Sequence, residues 1–203
     1  MEAALAPHAS HPFVAFLLPR LVRFRALYSE CALPMGFIHG DGFLDNALFA
    51  SNGDLTALVD WEDSCIAPYV LDVAVCVSAA CFTAENELQQ HRCAHILRGY
   101  ASRRPLGEAE TAALADFMWA GALACGFYRC APRASSPVTE PCPRSDRMRS
   151  HAYACLPGRW REFNVNRPES TSETKEAYLI MQRRCEKLEA TPLEPAAWLA
   201  MPP

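Results

Sequence analysis

From Phe13 to Leu27 apolar residues recur at Phe13, Leu17, Leu21, Phe24 and Leu27, with Arg20, Arg23 and Arg25 beside or opposite them. That spacing predicts an amphipathic helix. Pro19 either begins the main helix at its first turn or kinks a longer one. Residues 1–11 carry no such stripe and are expected to be a disordered lead-in. Pro34 and Gly36 then break the helix before a short apolar strand, Phe37-Ile38. Two further strands, over 47–50 and 55–59, flank Ser51-Asn52-Gly53-Asp54, where Asn-Gly tolerates the positive φ of a tight hairpin.

Pro68 closes the next loop, and a helix is predicted from Asp72 to about Phe82, apolar around nearly its whole circumference as in a central buried helix. Thr83 or Glu85 opens another helix, carried to about Ser102, and Pro105 and Gly107 end that connection. A long helix follows over 108–128, with Leu114, Phe117, Met118 and Cys125 inward and Gly121 on the same face, admitting a close neighbour. Residues 131–149, rich in Pro, Ser and Arg, read as a loop or insertion. Ser170 and Glu173 form a capping box for a last helix whose apolar face is Tyr178, Met181, Cys185 and Leu188. After Thr191-Pro192 the tail, 191–203, is expected to be loose, with Trp198 as its one docking side chain.

Apolar residues make up 51% of the 203 and charged ones 21%, which suits a folded domain with a sizeable core. The net charge of -4 gives no broad affinity for nucleic acid or an anionic membrane. No segment reads as a membrane span or a secretory signal, so the cytoplasm is the expected location. The ten cysteines follow no C-x-x-C spacing, and reduced thiols used as small hydrophobes are expected. On a helix Cys93 faces away from His91 and His95, against a metal cluster there. Lys175 and Lys187 are the only lysines, so phosphate contacts in the first 170 residues fall to Arg, His, backbone or metal.

The densest chemistry lies in Gly36-Phe37-Ile38-His39-Gly40-Asp41-Gly42-Phe43-Leu44-Asp45-Asn46, followed by Leu58-Val59-Asp60-Trp61-Glu62. A carboxylate flanked by Gly40 and Gly42 can orient an acceptor hydroxyl and take its proton. Asn46 and Asp60, brought together by the hairpin, offer the hard oxygen donors that magnesium prefers. Asp41 and Asp60 in one place imply a cation. His39 fits a scaffolding role, and Asp72 either caps the buried helix or reaches back to the loop around His39. Trp61 either packs or lines an acceptor pocket. No Ser or Cys sits with His and an acid in a nucleophile elbow.

These two runs resemble the catalytic and metal loops of the aminoglycoside phosphotransferase and choline kinase group, within the protein-kinase-like fold. The wider spelling is similar to the bacterial-type homoserine kinase branch: Leu33 to Asn46, Leu71-Asp72-Val73-Ala74, Cys81-Phe82, Gly99-Tyr100 and Arg104-Pro105-Leu106-Gly107-Glu108-Ala109-Glu110. The likeness spans roughly residues 33–130 and continues more weakly through Trp160 to Asn164.

The resemblance implies an α+β, mostly helical fold: a kinase-like C-terminal lobe over 12–190, with a small hairpin carrying the catalytic and metal loops. It implies Asp41 as catalytic aspartate, Asn46 and Asp60 as Mg2+ ligands, and His39 and Asp72 as supports. ATP would be the donor and the hydroxyl of a small amino alcohol or amino acid, homoserine first, the acceptor. Asp45, Glu62 and Asp63 are candidates for recognising the substrate amine, Glu62 and Asp63 equally readable as a solvated rim.

Three departures stand out. Gly42 replaces the family's usual Leu, predicting a hole or a more mobile loop. Val77-Ser78-Ala79-Ala80-Cys81 lacks the branch's usual Asn and Trp. Only 38 residues precede His39, so the N-terminal lobe is expected to be missing. The competing expectation is therefore a catalytically inactive lobe serving as an interaction or regulatory domain, its exposed surface covered by a second copy or another partner.

Overall fold

The computed structural model describes residues 9–29, 32–130 and 172–201. The architecture is α+β and mostly helical, with two small antiparallel sheets. The chain divides into two units, one of Met1–Cys31 with Leu123–Gln182, the other of Ala32–Ala122 with Arg183–Pro203. Every candidate site residue belongs to the second.

In the first unit, His11 caps helix α1 (Pro12–Leu17) by accepting the Phe13 N–H on Nδ1 at 3.2 Å. Pro19 falls in a 3₁₀ turn, Leu18–Arg20, before α2 (Leu21–Ser29). The kink is thus its role, because its ring cannot continue the ladder. Phe13, Leu17, Leu21 and Phe24 are buried as the stripe requires. A Cβ at Gly126 would come within 3.0 Å of the Phe13 ring and 3.4 Å of Met181, so glycine permits this contact. The expected lead-in up to residue 8, the 131–149 insertion, the Trp160–Asn164 segment and the Ser170 cap lie outside the described residues.

In the second unit β1 (Met35–Ile38) pairs antiparallel with β4 (Cys65–Pro68), in the register Met35↔Pro68 to Ile38↔Cys65. Between them lie β2 (Ala47–Phe49) and β3 (Leu55–Leu58), the expected hairpin, each strand a residue shorter than predicted. The strand β4 was expected to be loop: its four residues do not alternate, and they end in proline. Helix α3 (Tyr69–Ala80) begins three residues earlier than predicted, on Pro68. Asp72 is therefore inside its first turns and does not cap it. Val70, Ala74 and Val77 are fully buried, as expected of a central helix.

Helix α4 (Gln90–Ala101) starts later than expected. The preceding segment is instead an irregular connection with a Phe82–Leu88 bridge and Asn86 at φ 62°. Cys93 is buried and His91 and His95 are exposed, as helical geometry predicts. Helix α5 (Glu108–Cys130) buries Leu114, Phe117 and Met118, and Gly121 sits against Val75, whose Cγ2 would be 3.4 Å from an added Cβ. Cys125, expected inward, is only half-buried.

Helix α6 (Ser172–Ala190) is fastened by Arg184, which donates to the Ser78 carbonyl at 2.8 Å and to Asn86 Oδ1 at 3.2 Å. Trp119 Nε1 donates to Glu189 at 2.8 Å. The tail, expected to be loose, forms α7 (Pro195–Ala200) with Trp198 buried, and Arg98 holds the Met201 carbonyl at 2.6 Å. Cys65, Cys76, Cys81, Cys93, Cys125 and Cys185 are all thiols. Burial pushes the Cys76 thiol up to about 11; the Cys81 thiol is also raised, chiefly by its hydrogen bond with Cys93. Among the described residues no helix is long and apolar enough to cross a membrane.

Candidate functional site

The loop from His39 to Asn46 is suspended between β1 and a 3₁₀ turn, Leu44–Asn46, that leads into β2. Asp72, from α3, holds its start: one carboxylate oxygen takes the His39 N–H and the other the Gly40 N–H, each at 2.8 Å. Two adjacent peptide N–H groups gripped by one carboxylate fix the direction in which the chain leaves β1. The His39 ring is fixed at both nitrogens. Nδ1 accepts the Asp41 N–H at 3.3 Å and Nε2 meets the Val59 carbonyl at 2.9 Å. A carbonyl can only accept and a peptide N–H only donate, so the neutral Nε2–H tautomer satisfies both. The Trp61 ring lies 4.5 Å from the His39 ring, tilted by 49°, and stacks on Phe37 at 6.0 Å.

Asp41 is half-buried, and its carbonyl takes the Phe43 N–H at 2.8 Å. Asn46, only 8% exposed, turns its amide nitrogen to Asp41: 2.8 Å to Oδ2 and 2.9 Å to the backbone carbonyl. Both partners are acceptors, so the Asn46 amide oxygen must point the other way, and no described residue donates to it. The hairpin registers the next group, because the Val59 N–H bonds the Asn46 carbonyl at 2.9 Å. Asp60 follows at once, with φ 64° and ψ 57°, capping the 3₁₀ turn Trp61–Asp63. Its carboxylate is exposed and bonded to no described residue.

Asp41 and Asn46 therefore touch, and Asp60 leaves the same end of the hairpin with its oxygens uncommitted. Among the described residues no three His, Cys, Asp or Glu side chains gather into a metal cage. One amide oxygen and one or two carboxylates are a partial shell, the kind magnesium completes with phosphate oxygens and water. The donor set is hard and fits that ion. Asp45 and Glu62 are exposed, and Asp63 is half-buried, its backbone carbonyl over Gly40.

The glycines here serve two purposes. Gly40 has φ 83°, and a Cβ would lie 2.5 Å from the Asp63 carbonyl oxygen. Gly53, at the hairpin tip, has φ 88° with nothing within 4 Å of a Cβ. Gly53→Ala should thus cost only the left-handed backbone penalty, about 1–2 kcal/mol. Gly40→Ala adds a backbone overlap and should lower the urea midpoint clearly more; equal losses would mean that the Asp63 carbonyl yields freely. At Gly42 an added Cβ would stand 3.4 Å from Cys76 Cβ and 3.6 Å from the Asp72 carbonyl. The expected hole is thus absent, because the loop backbone lies directly on α3.

The sequence did not reveal the Val59 carbonyl as the second anchor of His39, nor the Trp61 ring against it. A histidine flanked by apolar strands gives no sign of which carbonyl it meets. Tyr69 was also overlooked, although Gly36 marked it: a Cβ there would overlap the Tyr69 ring.

A family model described as "Phosphotransferase enzyme family" matches residues 2–106, more than half of the chain. The chain is 38% identical over 106 residues to a homoserine kinase of Caulobacter vibrioides, covering 52% of this chain and 33% of that one. It is 39% identical over 99 residues to a homoserine kinase of Afipia carboxidovorans, covering 49% and 30%. With a homoserine kinase of Azorhizobium caulinodans the identity is 34% over 113 residues, covering 56% and 35%. The chain thus spans about a third of the length of these curated relatives.

Proposed function

The chain belongs to the phosphotransferase enzyme family, and we propose that it carries the acceptor-activating and metal-holding part of an ATP- and Mg2+-dependent site for phosphorylating a small amino alcohol or amino acid. Homoserine is the preferred acceptor, on the strength of the relatives' names. The observation that carries this reading is Asn46, whose amide nitrogen binds Asp41 while its amide oxygen meets no described donor, and whose backbone carbonyl holds the Val59 N–H directly before Asp60.

Asp41 is the catalytic base. It holds the acceptor hydroxyl in line and accepts its proton as transfer nears completion. Asn46 fixes the Asp41 carboxylate and offers its amide oxygen to the metal, with Asp60 as the second ligand. The metal, when bound, neutralises charge developing on the transferred phosphoryl group. His39 and Asp72 hold the loop, and the chemistry is therefore mostly positioning and electrostatics. Asp45, Glu62 and Asp63 stand within the same segment as carboxylates for a substrate ammonium group.

The test is thermal unfolding with and without ATP and Mg2+, followed by phosphate transfer to a panel of amino alcohols that includes homoserine. A ligand at about 100 times its Kd adds about 2.7 kcal/mol to stability. A clear rise in Tm that needs both nucleotide and metal, and that shrinks in Asp60→Asn, is expected. No rise in the wild-type chain sinks the nucleotide-binding reading.

A second reading is favoured by the surface beside the site. Phe37 is 61% exposed, Phe49 57% and Leu55 54%, and Leu44, Leu48, Leu58 and Trp61 are exposed too. Several exposed apolar side chains within residues 37–61 suit a protein interface. On this reading the lobe is a non-catalytic interaction domain that pairs with a second copy or another polypeptide. Concentration-dependent association in sedimentation, without any nucleotide effect, would favour it over the enzyme.

A further inference from the structure

Arg104 opens the run Arg104-Pro105-Leu106-Gly107-Glu108-Ala109-Glu110, which has no part in the chemistry above. Its guanidinium donates to Glu110 Oε1 at 2.9 Å and to the Tyr100 hydroxyl at 3.2 Å. Glu110 is only 2% exposed, and its other oxygen takes the Gly107 N–H at 3.1 Å. The buried carboxylate is thus fully used in holding the arginine and the corner before α5. The guanidinium carbon lies 4.4 Å from the centre of the Tyr69 ring, the distance of a cation over an aromatic face.

Tyr69 stands where two elements of the site begin. It is the first residue of α3, its N–H donates to the Pro34 carbonyl at 3.1 Å, and its ring occupies the place of a side chain at Gly36 in β1. From this point β1 runs to His39 and α3 runs to Asp72, and the two meet again in the paired Asp72 bonds to His39 and Gly40. Burial pushes the Tyr100 hydroxyl up, opposed by its bond with Arg104 and that residue's charge, with the charges of Glu110 and Asp72 adding to the rise.

We propose that Arg104, anchored by Glu110, is a positioning residue for the Asp41 loop: it holds the Tyr69 ring over Gly36 and so sets the spacing of β1 and α3 across which Asp72 grips His39 and Gly40. The role rests on the reading of that loop as the phosphotransfer site. Both bonds leave the one nitrogen Nη1, so a lysine ammonium keeps the charge and can meet the same acceptors, but it lacks the planar face that lies over Tyr69 and restores the function only in part.

Amide hydrogen exchange of the full chain, read residue by residue, tests the proposal without any need for activity. In Arg104→Ala the His39 and Gly40 amides should lose protection about tenfold, the scale of one net hydrogen bond. The Leu114 and Phe117 amides in α5 report global stability and should change far less. Arg104→Lys should fall between the two, and Asp72→Asn should mark the effect of weakening the grip itself. Unchanged His39 and Gly40 amides in Arg104→Ala, or a loss shared equally with Leu114 and Phe117, overturns the proposal. If Arg104→Ala does not fold, Arg104→Lys decides by the same ratio of amides.

Where the wild-type chain phosphorylates an acceptor, kcat should fall in Arg104→Ala with KM for that acceptor nearly unchanged. A wild-type chain without transfer would sink the enzyme reading alone; the exchange ratio would still decide whether Arg104 positions the loop.

Discussion

Asp41→Asn should lower kcat for phosphate transfer about a thousandfold, within the range expected for loss of general base catalysis, while the stabilisation by ATP and Mg2+ stays near that of the wild type. The substitution is well suited to the site, because the new side chain is isosteric and its oxygen can still accept the Asn46 amide N–H that now bonds Asp41 Oδ2 at 2.8 Å. The loop is then preserved and only the proton acceptor is lost. A fall of less than about tenfold would remove Asp41 from the catalytic role, since a merely orienting group contributes on that smaller scale. Steady-state rates with saturating nucleotide, beside thermal unfolding of the same preparation, provide the check.

The largest loss of stability among the site residues should follow Asp72→Ala. The carboxylate accepts two backbone N–H groups, from His39 and Gly40, each at 2.8 Å. Hydrogen bonds to a charged group contribute about 1.5–3 kcal/mol each, so a loss of about 3 kcal/mol or more is expected in urea unfolding. Asp72→Asn keeps one acceptor oxygen and should lose about half as much. Because neither change touches the Asp41 carboxylate or the Asn46 amide, any fall in transfer rate should accompany loosening of the His39 and Gly40 amides. If Asp72→Ala unfolds at the wild-type urea concentration, the carboxylate is not what secures the loop.

Much of the site could be read because it is local. His39 to Asn46 is one short run, and the Asn52-Gly53 turn with its flanking apolar strands predicts the hairpin that returns the chain beside Asn46. The central helix was equally legible from its apolar circumference. What escaped the reading depends on distant partners. Cys65–Pro68 is a strand only because Met35–Ile38 lies beside it. Asp72 stayed open between a cap and a reach back to the His39 loop, because nothing in the sequence tells that α3 starts at Tyr69, three residues before it, which leaves the carboxylate to the loop. Gln90 replaces the earlier helix start because Phe82 pairs with Leu88 and Asn86 adopts a left-handed turn bonded to Arg184, a residue almost a hundred positions on. The loose tail was overruled by Trp198, whose burial outweighs the weak helix signals of so short a segment. In the same way, the Arg104–Tyr69 contact joins residues 35 apart and had no motif to announce it.

The positive φ of Asp60 also bears on how this position can change over time. Asparagine, aspartate and glycine tolerate such a backbone best, and alanine poorly. A lineage that no longer needed the carboxylate would still be constrained by the bend, and its drift would run first to asparagine or glycine. An alanine scan, in contrast, would record backbone strain together with the missing charge and exaggerate the importance of the latter.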